Sequence, residues 1–298
     1  MKSFIGIDLG GTRIKGVVID KEGQVLDQVY TPTNDSDDMQ WRNAIAETVQ
    51  SLKAKTTVAD VIVGLSAPGL PNEHNTCIEH MPGRLQGLEG LIWSDYLKQK
   101  VWVANDAIAA MAAEAKFGAA KNKKHAIMLT LGTGVGGAIL IDGKIYQGSF
   151  QKAGHFGHTT TDSELENDVT GMPGSLEDAI GNCTIKKRSL GKYDYTHQLL
   201  EDYRNGDYFA QWIWLNSVRK LAIGIASFTN AFSPELVILG GGITEAGKDL
   251  FEPLESFLSK YEWRAGGNKT QIVKAHYGDM AGAIGAAGFA MMKSENNS

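Results

Sequence analysis

The stretch Ile5-Gly-Ile-Asp-Leu-Gly-Gly-Thr12 runs from an apolar strand pattern straight into paired glycines, and its reading governs the rest of the chain. Two later stretches repeat the device, Leu129-Thr-Leu-Gly-Thr-Gly-Val-Gly-Gly137 and Val237-Ile-Leu-Gly-Gly-Gly-Ile243. Without a Cβ, backbone N–H groups in such turns can close on an anion, which suits a polyphosphate better than any one side chain does. One strand-to-glycine turn is commonplace. Three in one chain, two of them with a Thr (Thr12, Thr133) whose hydroxyl can donate to phosphate, point to a nucleotide triphosphate. The phosphate-facing candidates are Gly10, Gly11 and Thr12, then Gly132, Thr133 and Gly134, then Gly240, Gly241 and Gly242. Asp8 stands where the first strand gives way to glycine. A carboxylate beside phosphate is repelled unless a cation lies between them, so Asp8 implies Mg²⁺; the competing role for an Asp here is to cap the turn.

The chain has 298 residues and 43% hydrophobic content, enough for two domains with cores of their own, and the glycine turns spread over its whole length favour two. A formal net charge of −5 and the lack of a Lys/Arg cluster argue against a nucleic-acid groove. No apolar run is long enough to cross a bilayer, and the chain enters strand pattern at once, with no signal-peptide pattern; the expectation is a soluble cytoplasmic protein. Cys77 and Cys183, the only cysteines, belong to no metal-ligand pair and read as reduced thiols.

The β-rich runs 3–8, 14–19 and 25–30 read as a meander, followed by a helix over 39–53 with Trp41, Ile45, Val49 and Leu52 on one face. A strand at 61–65 leads into a long loop reaching Gly90. A helix over 93–98, a strand at 101–104 and a helix over 106–117, capped by Asn105 or Asp106, come next. Strands at 126–131 and 135–141 flank the second glycine turn. An irregular stretch at 148–182 precedes helix over most of 199–232, and strand and helix alternate to residue 292. The repeated order, a meander and then alternating helix and strand, predicts an α/β protein with two similar domains facing a central cleft. The tail from Lys293 to Ser298 is polar and expected to fray.

Phosphoryl transfer to an alcohol needs a base for the hydroxyl proton, and Val103-Ala-Asn-Asp-Ala107 sets Asp106 at a strand end where a helix begins. Capping that helix is an equally good use for Asp106 on local sequence alone. Asn105, the histidines of Ala153-Gly-His-Phe-Gly-His158 and Glu177 complete a donor and acceptor inventory that fits a polyhydroxylated molecule, a sugar.

Taken as an ordered set from about Phe4 to Phe289, these motifs resemble the ROK family of sugar kinases and repressors, members of the actin-like ATPase superfamily. Asp8-Leu-Gly-Gly-Thr12 is similar to its first phosphate loop and Leu131-Gly-Thr-Gly-Val-Gly-Gly137 to its second. Asn105-Asp106 resembles its sugar-binding Asn and catalytic base, Gly240-Gly-Gly242 its adenosine-side turn, and Gly278-Asp-Met-Ala-Gly282 the start of its closing helix. The resemblance implies two actin-like, ribonuclease H-like α/β domains, residues 1–116 plus 283–298 and residues 117–282, closing on ATP, Mg²⁺ and a sugar, in a homodimer. It also implies that Asn105 and Asp106 face the acceptor, and Gly69, Arg84, His155, His158 and Glu177 are expected to complete the acceptor-facing set.

Two departures stand out. His155-Phe-Gly-His158 replaces the family's Glu-x-Gly-His, and because a carboxylate only accepts while neutral imidazole both donates and accepts, the expected substrate is a sugar other than plain glucose. Asp168, Thr170 and Ser175 occupy the positions of the family's three zinc-binding cysteines. No thiolate remains, so no structural zinc is expected, and His158 is expected to be free for substrate. Arg84, in the loop His80–Gly90, brings donors that suit a carboxylate or a hydroxyl-rich face, or it serves only as a surface arginine. Some family members are repressors, with an N-terminal helix-turn-helix for which the first strand leaves no room here; a sugar-binding regulator or a non-catalytic sensor is the alternative reading.

Overall fold

The apolar run at the head of the chain forms a strand, Phe4–Leu9 (β1), buried over nearly its whole length. A computed structural model describes residues 3–35, 39–56, 61–81 and 83–295; Pro82 and the last three residues of the polar tail lie outside the described residues. After β1 come Arg13–Ile19 (β2), Val25–Pro32 (β3), helix Gln40–Ala54 (α1) and Ile62–Ala67 (β4). The stretch read as a loop to Gly90 carries a small antiparallel pair, Leu70–Pro71 (β5) and Ile78–His80 (β6). Helix Trp93–Leu97 (α2), strand Val101–Asn105 (β7) and helix Asp106–Phe117 (α3) follow, then Ala126–Leu131 (β8), Val135–Ile141 (β9) and Lys144–Tyr146 (β10). The rest comprises helices Leu176–Ile180 (α4), Ile185–Arg188 (α5), Thr196–Arg204 (α6) and Tyr208–Phe232 (α7), strand Leu236–Gly240 (β11), helix Lys248–Tyr261 (α8), strand Gln271–Lys274 (β12) and helix Ala281–Glu295 (α9).

The helix expected over most of 199–232 is two helices. Gly206, at φ 85°, turns the chain, and the Asp207 carboxylate accepts from the Ala210 N–H to restart it as α7. The periodicity of α1 is as read, with Trp41, Ile45, Val49 and Leu52 on its buried face.

Two compact units result: Met1–Asn122 with Gly143–Ala153 and Ala275–Ser298, and Lys123–Asp142 with Gly154–Lys274. Glu114 shows why residues 118–122 and 275–282 stay with the first unit. Its carboxylate is fully buried and accepts the N–H groups of Ala119 (2.7 Å), His276 (2.8 Å) and Tyr277 (3.0 Å), fastening the chain after α3 to the chain before α9.

In the first unit the strand order is β3-β2-β1-β4-β7, antiparallel across the meander and parallel from β1 to β4 to β7. Helix α9, made almost wholly of Ala and Gly up to Phe289, lies directly on the β1–β4 backbone. A Cβ on Gly6 would overlap the Ala283 carbonyl, and one on Gly64 the Ala286 carbonyl. On one face of the sheet pack Ile5, Ile7, Trp41, Ile45, Leu65, Ile78 and Trp93. In the second unit β8 pairs antiparallel with β9 and parallel with β11, which pairs parallel with β12. Its core includes Met128, Leu129, Leu176, Trp214, Leu221, Ile225 and Ile238, all buried. None of the described helices is long and apolar enough to cross a membrane.

Glu114→Ala strands three N–H groups that the buried carboxylate accepts. It is expected to lower unfolding free energy by about 3 kcal/mol in urea titration, with Glu114→Gln, which keeps an acceptor, costing less.

Candidate functional site

In the first unit the parallel register sets Asp8 of β1 opposite Ser66 of β4, and the Ser66 hydroxyl donates to Asp8 Oδ1 at 2.8 Å. Gly282 at the start of α9 packs on this carboxylate, where a Cβ would overlap it. Burial pushes the Asp8 carboxyl above its ordinary value; Ser66 and Lys15 pull it down, while the charges of Asp106 and Asp279 add to the rise. Lys15 Nζ lies 3.9 Å from Asp8 Oδ2 and 2.8 Å from Asp279 Oδ1, and Asp279 also pairs with Arg13 at 3.1 Å. Lys15 and Asp279 escaped the sequence reading, although Asp279 lies inside the quoted Gly278–Gly282 motif. Lys15 is the cross-strand partner of Asp8 in the antiparallel β1–β2 register, so the hairpin around the first glycine turn was the available signal.

The first glycine turn is braced from behind. The Gly10 N–H reaches the Arg13 carbonyl (3.2 Å), and the Thr33 hydroxyl donates to the Gly10 carbonyl (2.8 Å), leaving Gly11 and Thr12 exposed. The Arg84 guanidinium lies against Gly11, so the structure brings Arg84 to this turn; Asp35 holds the Arg84 loop by accepting the Leu85 N–H at 3.0 Å.

Of the two roles weighed for Asp106, base and helix cap, the hydrogen bonds bear on the cap. Asn105 is the N-cap of α3: its Oδ1 accepts the Ala107 N–H at 2.9 Å, and its Nδ2 donates to the Gly69 carbonyl at 3.0 Å. Asp106, the first residue of the helix, is exposed, and its Oδ1 accepts the same N–H at 2.8 Å. Asp106 is close enough to Asp8 for their charges to repel.

In the second unit a cavity of 520 Å³ is lined by the second and third glycine turns, through Gly132, Thr133, Gly242 and Ile243, together with Asn182, Thr196, His197, Arg204 and Glu245. Gly134, Gly240 and Gly241 belong to the same turns without lining it. Asn182 Oδ1 accepts from both the N–H and the hydroxyl of Thr196 (2.8 and 2.9 Å), which fixes the start of α6. Arg204 is held by Asp249 at 2.7 Å. Asn182, Thr196, His197 and Arg204 come from α6 and from the segment just before α5, where the sequence offered no motif to mark them.

Glu177, in the first turn of α4, turns its Oε2 onto the second glycine turn, accepting the Val135 N–H at 2.9 Å; a Cβ on Gly134 would overlap this carboxylate. Arg188 caps the far end of α4, donating to the Gly181 carbonyl at 2.7 Å and the Asp178 carbonyl at 3.3 Å; burial lowers its pKa to about 10. His155 is half-buried, beside Phe156, which stacks on Phe228 at 4.2 Å.

Asp168 gathers the loop that follows. Its Oδ1 accepts the Thr170 N–H (2.8 Å), the Thr170 hydroxyl (2.7 Å) and the Met172 N–H (3.0 Å), and its Oδ2 lies 3.8 Å from His158 Nδ1, neither of those two atoms having a hydrogen bond. Burial alone would raise this carboxyl, but the donors from Thr170 and Met172 outweigh it and lower the pKa to about 2. Among the described residues no cluster of three or more His, Cys, Asp or Glu side chains is arranged to hold a metal ion.

Residues 4–293 match the ROK family. The chain belongs to the ROK family. A glucokinase from Thermotoga maritima is 30% identical, with 95% of this chain and 96% of that protein aligned. Among solved structures, a ROK hexokinase from Thermus thermophilus superposes with a TM-score of 0.89 at 28% identity over 99% of both chains. A ROK glucokinase from Streptomyces griseus, in complex with glucose and AMPPNP, gives 0.80 at 26% over 97% of this chain and 99% of that one. The fold is therefore the mixed α/β fold of the actin-like ATPases, and sugar kinases are among its relatives.

The Asp168 cluster makes a stability test. With a pKa near 2 when folded against an ordinary 3.8, this carboxyl adds stability above pH 4 and loses it as pH falls toward 2. Asp168→Asn is expected to lower the melting temperature at neutral pH, with the difference from the parent shrinking as the scan is repeated between about pH 4 and pH 2.

Proposed function

We propose that this ROK protein is an ATP-dependent kinase that transfers the γ-phosphoryl group to a hydroxyl of a sugar or sugar derivative other than plain glucose. The observation that carries the reading is Asp106: an exposed carboxylate at the head of α3, next to the buried Asp8 and seated by an asparagine that caps the same helix. Asp106 takes the acceptor's hydroxyl proton. The freed oxygen forms its bond to the γ-phosphorus, the bond from that phosphorus to the β-phosphate's bridging oxygen breaks, and ADP leaves with the electron pair.

The donor is assigned to the cavity lined by Gly132, Thr133 and Gly242, whose volume falls in the range of small-ligand sites. The Thr133 hydroxyl donates to phosphate there, and the Gly11–Thr12 turn offers the same chemistry in the first unit. AMPPNP in the Streptomyces griseus relative supports a nucleotide donor. The donor set around Asp8 suits Mg²⁺. It is an oxygen-only carboxylate pushed up by burial and by two neighbouring acids, so a cation at its oxygens relieves it. Asp8 would hold the metal, which would supply charge neutralisation to the phosphates. Lys15 and Arg84 add fixed positive charge at the same turn.

Gly69, Arg84, Asn105, His155, His158 and Glu177 are assigned to acceptor orientation. His155, standing where the family's pattern has a carboxylate, can donate as well as accept, which favours an acceptor whose substituent there differs from a plain hydroxyl. A cytoplasmic homodimer that binds neither nucleic acid nor membrane completes the proposal, and analytical ultracentrifugation tests the dimer.

A coupled assay for ADP release over a panel of hexoses, N-acetylhexosamines and other sugar derivatives tests the function. At least one sugar other than glucose is expected to drive ADP release more strongly than glucose does. Binding of sugar without turnover across the panel means a sensor or regulator instead. Asp106→Asn is expected to keep the parent's melting temperature and to lower kcat by about 10² to 10⁴-fold; a variant turning over at half the parental rate ends Asp106's assignment as base.

A further inference from the structure

Glu177 belongs, in the reading above, to the acceptor site, yet its best-defined contact is with the donor side. Oε2 accepts the Val135 N–H at 2.9 Å, and the absence of a side chain on Gly134 is what lets the carboxylate in. The segment that carries Glu177 is fastened to the same turn twice more. The Asn182 N–H donates to the Gly132 carbonyl at 2.9 Å and the Cys183 N–H to the Thr133 carbonyl at 2.8 Å. Arg188 closes the end of α4 between those fastenings. Helix α4 and the glycine turn are thus one mechanical piece, and Glu177 is the only one of the three ties that runs through a side chain.

We infer that Glu177 couples the two substrates: Oε2 sets the Gly132–Val135 turn for the nucleotide while Oε1 takes an acceptor hydroxyl, so that a bound sugar tightens nucleotide binding. The inference rests on the proposed kinase function and adds a role to Glu177 beyond holding the acceptor. A hydroxyl donating to Oε1 pins the carboxylate in the rotamer that holds the Val135 N–H, and the neighbouring Thr133 and Gly134 amides then keep the direction the phosphates need. Without the sugar the carboxylate can turn away and the turn loses its side-chain brace. Linkage makes the effect reciprocal, so the nucleotide tightens sugar binding by the same factor.

The test is titration calorimetry of the full chain with the β,γ-imido analogue of ATP and Mg²⁺, with and without a saturating concentration of the sugar that the panel assay identifies. In the parent the sugar is expected to tighten the analogue about tenfold. In Glu177→Ala that factor falls to about one, and the analogue alone binds more weakly than to the parent. Glu177→Gln, whose amide oxygen can still accept from Val135, is expected to bind the analogue alone as the parent does, while its KM for the sugar rises. A residue that only held the sugar would leave the analogue's affinity alone unchanged in Glu177→Ala, and that result overturns the inference while leaving the kinase function standing. A parent that binds the analogue but phosphorylates no sugar overturns both. If Glu177→Ala does not fold, hydrogen exchange in the parent decides: sugar without nucleotide must slow exchange at the Val135 amide, and unchanged exchange refutes the coupling.

Discussion

The close seat of helix α9 on the first sheet is the constraint from which the first half-site follows. Gly6 and Gly64 remove the side chains that would hold the helix off, so its backbone lies against β1 and β4, and Gly282 at its start comes down on Asp8. That contact buries a carboxylate, which is costly unless it is hydrogen-bonded and offered a cation. Ser66 gives the hydrogen bond and Lys15 the charge, while Asp279, entering with the same helix, takes up the rest of Lys15. Burial outweighs these partners, and the carboxyl's pKa stays raised in spite of them.

The second unit solves a different problem with similar parts. Its glycine turn offers peptide amides, but an amide must be aimed, and a loop of Gly-Thr-Gly has little to aim it. Helix α4 supplies the aim from outside, through the Glu177 carboxylate on Val135 and two backbone bonds to Gly132 and Thr133. The loop leading to α4 is gathered on Asp168 by the donors of Thr170 and Met172, with His158 facing the same carboxylate. A buried carboxylate and short-range donors thus organise this loop.

Much of this was legible in the sequence because it is local. Glycine after an apolar run, a period of 3.6 in α1 and an Asn-Asp pair at a strand end are signals a few residues long, and each marks an element that exists. What was not legible is long-range. Lys15 reaches Asp279 across 264 positions, and Glu114 reaches His276 across 162. No spacing rule connects such residues, since they meet only after the chain has left the first unit and returned. Chemistry hidden by double use was equally opaque. Asn105 looks from its sequence like a ligand or a cap, and the structure gives both of its amide atoms protein partners. Glu177 looks like an acceptor contact, and nothing in Ser175-Leu-Glu177 says that one oxygen is held by Val135. The wall of the second unit's cavity, from Asn182 through Arg204, carries no motif because ordinary polar side chains on helices make it.

The central claim is that the terminal phosphoryl group of ATP goes to a sugar oxygen. Incubating the protein with Mg²⁺, its sugar and ATP labelled with oxygen-18 at the γ-phosphate, then weighing the products by mass spectrometry, tests this without reference to any variant. The account predicts a sugar phosphate whose phosphoryl group keeps the label and whose bridging oxygen is the sugar's own. Label recovered only in inorganic phosphate, with the sugar unchanged in mass, would contradict it.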